Sequence, residues 1–348
     1  MRVLFLHTNP YHQEIDNLIN DILSNIKIKD IQSFEMSYLD FKFYNFNKLC
    51  KLRHFIKKNK IDIVHTYHYI DAYYTMMACK GLKVKFVYSN YFYHDELKGF
   101  DRLMYKHVLS HVNTIIFQTN VQKNYITSKY NLVPDKHCKL FHAFATGRLD
   151  DYSFNSLRDE YFIDDFRYLI GTIGDFTPEH NVMNVFKMVR KLRRTGRNFT
   201  CLVAGDELKE YETFYNDCKY YYLVQGLDNY ITYIGKRNDS INVLSQLDAF
   251  VYHSDKEAIA IPVIEAMSCG VNVVVNDEMI KEITFNGKYA TLYRSDDIDD
   301  FTIKTREVLN NLDDNRMITE IVKEECREIY SIEKHILGLK EIYTNITK

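Results

Sequence analysis

The sequence predicts an α/β protein of two domains, each built on a doubly wound parallel sheet. Three observations carry that prediction. Short β-rich apolar runs alternate with segments of helical period, which implies strands joined by crossover helices. The alternation stops in an irregular acidic stretch, Leu149–Asp165, and then starts again. The chain has 348 residues, 46% of them hydrophobic, enough for two cores of ordinary size.

In chain order, the first half is expected to place strands at Val3–His7, Ile61–His65, Val84–Tyr88, Thr114–Phe117 and Lys139–His142. The second half is expected to place them near Tyr168–Ile173, Thr200–Ala204, Tyr230–Ile234, Ala249–Tyr252 and Asn272–Val275. From Asn315 onward the pattern is helical, and the last segment is long enough to cross back over the first domain. The expected division is therefore 1–150 with the tail helix 331–348, and 151–330. Glycine and proline are scarce, at 12 and 4, and no repeat or low-complexity linker interrupts the pattern.

Composition narrows the function classes. The seven cysteines are scattered and form neither a CxxC pair nor a Cys/His cluster, so a reducing, cytoplasmic setting without a structural metal is expected. The N-terminal run MRVLFLHTNPYHQE reads as a strand rather than a signal peptide. No run approaches the roughly 18 apolar residues of a membrane-spanning helix. The formal net charge of −2 is unevenly spread, with 20 basic and 12 acidic residues through Thr146 against 25 and 35 in the remainder. A basic first half can be drawn to anionic surfaces, which makes it a candidate for peripheral membrane contact, although solvated charge explains it equally well. The basic, aromatic segment FKFYNFNKLCKLRHFIKKNK suits a bilayer surface better than a nucleic acid, but an amphipathic helix docked on the sheet is the plainer reading. No nucleic-acid partner is expected.

The common nucleotide motifs are absent. No glycine precedes Gly81, so the first strand-turn-helix cannot be the GxGxxG fingerprint of a dinucleotide enzyme. There is neither a GxxxxGK[ST] loop nor a GxSxG elbow. The informative stretch is AFVYHSDKEAIAIPVIEAMSCGVNVVVND: a strand ending at His253, a polar loop with Glu257, Pro262 in a first helical turn, Glu265, a glycine and another strand. As a bare spacing, two glutamates eight apart are usually solvated helix-surface carboxylates.

In this context the segment resembles the signature of the retaining glycosyltransferases of family 4, which have the GT-B fold of two Rossmann-like domains facing a cleft. IDIVHTYH, NTIIFQTNVQKNYI, YLIGTIGDFTPEHNVMNVFKMVRKL, CLVAGDE, YITYIGKR and KEITFNGKYATLY look like further family blocks in the expected order. The resemblance implies that Glu257 accepts hydrogen bonds from the donor sugar and Glu265 from the ribose hydroxyls, roles that suit charged acceptors. It also implies that the helix starting near Pro262 directs its N–H groups and positive dipole end at a donor diphosphate. Family members often show Gly-Phe-Gly after the first glutamate, where this chain has Ala258-Ile259-Ala260; the amides of Ile259 and Ala260 survive that change.

The resemblance further places donor contacts in the loop that begins at Gly174. There the usual arginine and lysine on the diphosphate are replaced by Asp175 and His180. Lys256, Arg237 and Arg148 are the candidate compensating cations, each more often plain surface charge. On the acceptor side, a histidine of the first domain often faces the reacting sugar. His94 is the choice here, with Asn90 as its competitor and His12, His65 and His68 as further strand-end histidines.

The implied enzyme is a retaining, metal-independent transferase without cofactor. It would move a hexose-type unit from a nucleotide diphosphate sugar, UDP-linked on family frequency, to a saccharide or lipid-linked acceptor, with bacterial surface-polysaccharide synthesis as the expected setting. A non-catalytic partner of another glycosyltransferase is the alternative reading. A sugar-nucleotide epimerase on the same fold is a third, disfavoured by the family blocks.

Overall fold

The computed structural model describes residues 1–7, 13–25, 31–37, 46–132, 137–140, 143, 149–255, 260–278 and 280–348. The chain divides into two compact units, residues 1–145 with 330–348, and residues 146–329. Each is organised around a six-stranded sheet in which every pairing is parallel, the two-domain α/β architecture that the sequence predicts.

In the first unit the strands are β1 (Arg2–His7), β2 (Gln32–Ser37), β3 (Ile63–Thr66), β4 (Lys85–Asn90), β5 (Thr114–Phe117) and β6 (His137–Lys139), in spatial order β2-β1-β3-β4-β5-β6. Helices α1 (Gln13–Asn25), α2 (Phe46–Lys58), α3 (Tyr69–Ala78), α4 (Gly99–His111) and α5 (Asn120–Tyr130) are interleaved with them. All four residues of β3 and of β5 are buried, as expected for strands covered on both faces. Helix α2 explains the basic, aromatic segment. Leu52 and Ile56, one turn apart, are buried in a cluster with Leu4, Leu6 and Val64, while Lys51, Lys57 and Lys58 are exposed. Its apolar face therefore meets the sheet, and residues 41–45 of that segment lie outside the described residues.

In the second unit the strands are β7 (Tyr168–Ile173), β8 (Phe199–Ala204), β9 (Ile231–Gly235), β10 (Ala249–Tyr252), β11 (Asn272–Asn276) and β12 (Thr291–Tyr293), ordered β12-β11-β10-β7-β8-β9. Its helices are α6 (Leu157–Glu160), α7 (Val182–Leu192), α8 (Glu212–Val224), α9 (Ser240–Leu244), α10 (Ile261–Cys269), α11 (Ile298–Asn310) and α12 (Leu312–Ile329). The spatial order reverses between β10 and β7. At such a switch point the crossover helices leave on opposite sides, and a crevice opens at the carboxyl ends of the strands. Arg327 of α12 forks onto Asp150 at 3.0 Å through both terminal nitrogens and donates from Nε to the Ser268 carbonyl, holding α12 against the end of α10.

The last helix, α13 (Ile332–Thr347), belongs to the first unit. The Ser331 hydroxyl caps it by accepting the Lys334 N–H, and it buries Ile332, His335, Ile336, Leu339 and Tyr343. A Cβ on Gly338 would meet the Leu140 side chain at 2.6 Å, so glycine is what allows this close approach. The Tyr343 hydroxyl reaches buried His65 at 2.6 Å. No helix among the described residues is long and apolar enough to cross a membrane.

Two strands escaped the sequence reading, β2 and β12, and both are sheet edges. β6 is placed at His137–Lys139 rather than at Lys139–His142, whose last two residues lie outside the described set.

Candidate functional site

The carboxyl edge of the second sheet is built on backbone packed to contact. Beyond β7 and β8 the ladder continues, with Gly174 N–H donating to the Ala204 carbonyl and Gly205 N–H to the Gly235 carbonyl. A Cβ on Gly205 would lie 2.1 Å from the Gly174 oxygen, and one on Gly174 would lie 2.5 Å from the His180 ring. Asp175 makes a local tie. Its Oδ1 accepts the Asp206 backbone N–H at 2.7 Å and ties the β7 loop to the β8 loop.

His180 is 5% exposed, lies edge-on to Tyr252 at 4.6 Å, and has no hydrogen-bond partner at either ring nitrogen among the described residues. Burial, with His253 adding to it, lowers its pKa to about 4, so the imidazole is neutral. It stands in the loop where the resemblance places a lysine, but as a packed ring over Gly174 rather than as a counter-charge.

Arg237 also differs from its expected role. It donates from Nε and Nη2 to the two Asp239 oxygens at 2.8 and 2.7 Å, and from Nη1 to Glu160 at 2.8 Å. Its guanidinium is thus paired with two carboxylates of its own unit, which offset the charge it was expected to offer as a compensating cation. Replacing it with leucine is expected to lower stability by on the order of 1–2 kcal/mol in a denaturant titration, with nucleotide affinity essentially unchanged by calorimetry. The neighbouring Lys236, which the sequence reading passed over, is more available: its ammonium is 3.6 Å from Asp206 and its side chain is 59% exposed.

The loop after β10 is held from three sides. His253, fully buried, shares hydrogen bonds with the Tyr293 hydroxyl (2.7 Å, at Nδ1) and, at Nε2, with Asp255 (2.8 Å) and Asn184 (3.1 Å). Asn181 donates to the second Asp255 oxygen, and Asn276 pairs with both the N–H and the carbonyl of Ser254. Residues 253–255 are thus fixed immediately before Lys256, Glu257 and Ile259, which lie outside the described residues. None of these anchors was singled out from sequence, because a lone histidine at a strand end gives no sign of partners 40 to 69 positions away.

Helix α10 then starts from Ala260, which is fully buried and supplies no side-chain cap, with Pro262 in the first turn. The first N–H groups of a helix lack intrahelical acceptors, and its dipole adds positive potential there. Glu265, one turn in, is 7% exposed, and its Oε2 accepts from the Ser240 hydroxyl at 3.2 Å. Gly174, His180, Ala260 and Glu265 all belong to the carboxyl side of this sheet, as the sequence reading expects. Among the described residues no group of three or more His, Cys, Asp or Glu is arranged to hold a metal ion.

In the first unit, His94 has a left-handed backbone, φ 55°, uncommon for a residue with a side chain. Its Nε2 lies 3.4 Å from the Tyr88 hydroxyl and its ring contacts those of Tyr69 and Tyr105. Asn90, its competitor, is fully buried and engaged: its oxygen accepts from Tyr88 and Tyr105 and its amide donates to the Phe92 carbonyl. His68 accepts the Ile70 N–H at the start of α3, and His65 lies inside the sheet packing. His12 and Arg148 lie outside the described residues.

Burial, with His335 adding to it, lowers the His65 pKa to about 3. Below pH 6.5 the unfolded chain therefore binds protons that native His65 and His180 refuse, until about 3 and about 4 respectively. Stability is complete above that window and falls with pH within it, by up to about 1.4 kcal/mol per pH unit for each histidine. Thermal unfolding between pH 7.5 and 5 should show this slope, and His180→Phe should reduce it.

Comparison with known proteins places the fold in one class. The family model described as "Glycosyl transferases group 1" matches residues 153–325, and the one described as "Glycosyltransferase Family 4" matches residues 9–142. The chain belongs to the family 4-type glycosyltransferases of GT-B fold. Among curated proteins it is 21% identical over 339 residues to N-acetyl-alpha-D-glucosaminyl L-malate synthase of Bacillus anthracis, covering 95% of this chain and 87% of that one. Among solved structures it resembles a glycosyltransferase from Rickettsia africae (TM-score 0.82, 18% identity, 100% of this chain and 98% of that one). It also resembles Anabaena Alr3699/HepE in complex with UDP (TM-score 0.81, 12% identity, 99% and 100%).

Proposed function

We propose that the protein transfers a sugar from a nucleoside diphosphate sugar, uridine-linked, to a saccharide or lipid-linked acceptor, with retention of configuration and without a metal. The observation that carries this reading is Glu265: an acceptor-only carboxylate, buried one turn into α10 and braced by Ser240, at the strand ends where a ribose would present its two hydroxyls. Glu257, two positions beyond the fixed 253–255 loop, is assigned to the donor sugar, and His94 to the reacting acceptor side.

The diphosphate would leave against N–H groups of the α10 start rather than against side-chain cations. Such preorganised donors stabilise developing negative charge without reorganising during the reaction. The related Anabaena protein was solved with UDP, which favours that nucleotide here. Surface-polysaccharide assembly, at the inner face of the membrane, is the biological setting that the family resemblance favours.

A second reading, a non-catalytic partner of another glycosyltransferase, draws on Asp175, neutral His180 and an Arg237 paired with Asp239 and Glu160, which together leave the donor loop short of positive charge. Calorimetry with UDP, using GDP as control, separates the two. Selective UDP binding supports the enzyme, and binding of neither nucleotide sinks it in favour of the partner.

A further inference from the structure

Helix α4 carries two histidines one turn apart, His107 and His111, that neither the donor nor the acceptor reading uses. Both are exposed, whereas Val108 and Leu109 between them are buried, so the pair stands on the outer face of a helix fixed along its inner one. Positions four apart on a helix are surface neighbours. Here the two rings meet: their centroids are 4.0 Å apart and their planes 21° from parallel.

Each ring is oriented by a different neighbour. Tyr73 of α3 lies edge-on to the His107 ring at 5.5 Å. His111 Nδ1 lies 2.9 Å from the His107 backbone carbonyl, and a carbonyl only accepts, so that nitrogen carries the proton. In the neutral ring the lone pair is then on Nε2. Metal-bound histidines show the same arrangement, with the second nitrogen donating to a carbonyl or carboxylate that fixes both tautomer and ring. Exposure leaves open space for an ion and its water beside the rings.

The spacing suits a single ion. Two bonds of about 2.0–2.1 Å bring the ligating nitrogens roughly 3–3.4 Å apart, a small rotation for rings already at 4.0 Å. His111 is the last residue of α4, where the helix dipole is negative and favours a cation. Lys106, beside His107, is exposed, so its opposing charge acts through water and is screened. Imidazole nitrogens do not suit Mg²⁺ or Ca²⁺, which take oxygen ligands, but they suit the late first-row ions, with Cu²⁺ at the head of the affinity order.

We propose that His107 and His111 form a surface site for a late first-row divalent transition ion, Cu²⁺ above Ni²⁺ and Zn²⁺, with water completing its shell. The site is separate from the transfer chemistry. β5 begins at Thr114, three residues after His111, so the pair lies toward the end of the first sheet where strands begin, whereas His94 follows the carboxyl end of β4. A bound ion clips the last turn of α4 and stabilises the folded chain by mass action.

Calorimetric titration of the full chain with Cu²⁺, Ni²⁺ and Zn²⁺ in a non-coordinating buffer tests this, paired with electron paramagnetic resonance of the copper-loaded protein. The strongest Cu²⁺ site of wild type should show two imidazole nitrogens in its spectrum, and Ni²⁺ should raise the thermal midpoint. His107→Asn and His111→Asn should each weaken that Cu²⁺ site by about tenfold or more, reduce its nitrogens to one and abolish the Ni²⁺ effect. Their metal-free midpoints should hold, because both side chains are exposed, so lost binding is not lost folding. His54→Asn, at an exposed position of α2, is the control and should leave the site intact. Affinity and nitrogen count that persist in both variants, or an equal loss in the control, would mean adventitious coordination by scattered histidines and overturn the site. Fewer than two nitrogens on copper in wild type would overturn it as well.

Discussion

Replacing Gly205 with alanine is expected to destabilise the second unit by about 3 kcal/mol, a fall of roughly 6–12 °C in its unfolding midpoint. The added Cβ would sit 2.1 Å from the Gly174 oxygen and 2.7 Å from its carbonyl carbon, both backbone atoms that no rotamer change can move aside. Relief requires separating the ends of β7 and β8, where Gly174 N–H holds the Ala204 carbonyl and Asp206 N–H holds Asp175. Gly196→Ala is the control. Its Cβ meets nothing within 4 Å, and only its φ of 76° is unfavourable, so about 1 kcal/mol is expected there. Denaturant titration of both variants checks the contrast, and equal losses would show that the close approach is not the source of strain.

Glu265→Gln is expected to weaken UDP binding by about 10- to 100-fold, the scale of losing hydrogen bonds to a charged acceptor, while thermal stability holds or rises. Keeping a carboxylate 7% exposed costs solvation, a cost that the neutral amide of glutamine largely avoids. A residue retained at such a cost improves binding rather than folding. Glutamine preserves volume and can still accept from Ser240, so the variant separates charge from shape. Calorimetry paired with thermal denaturation reads both quantities. Unchanged UDP affinity would remove Glu265 from the donor site.

The strands legible in the sequence are those whose side chains are buried on both sides. Thr114–Phe117, Tyr168–Ile173 and Ala249–Tyr252 are apolar or β-branched throughout and occupy the bounds read for them. Gln32–Ser37 and Thr291–Tyr293 were missed because an edge strand pairs on one side only and tolerates a polar or very short sequence. At the site, it was the resemblance to family blocks that singled out Gly174, His180 and Glu265, and the alternation of strands and helices put them on the carboxyl side of one sheet. Charge states were not legible. Nothing local to His180 announces that Gly174 and Tyr252 enclose it, and nothing near Arg237 points to Glu160, 77 residues earlier. Sequence spacing reports position along an element; ionisation depends on neighbours that only folding supplies.

The tail helix has a consequence for synthesis. The first sheet leaves the ribosome early, yet His65 waits for Tyr343, 278 residues later, and Leu140 waits for Gly338. At about 5–20 residues per second the 278 intervening residues take roughly 14–56 s to translate. During that time the second unit, continuous from 146 to 329, can finish folding. The half made first is thus completed last, and a chain halted before Tyr330 would expose the sheet surface that Ile336, Leu339 and Tyr343 cover, a natural target for chaperones.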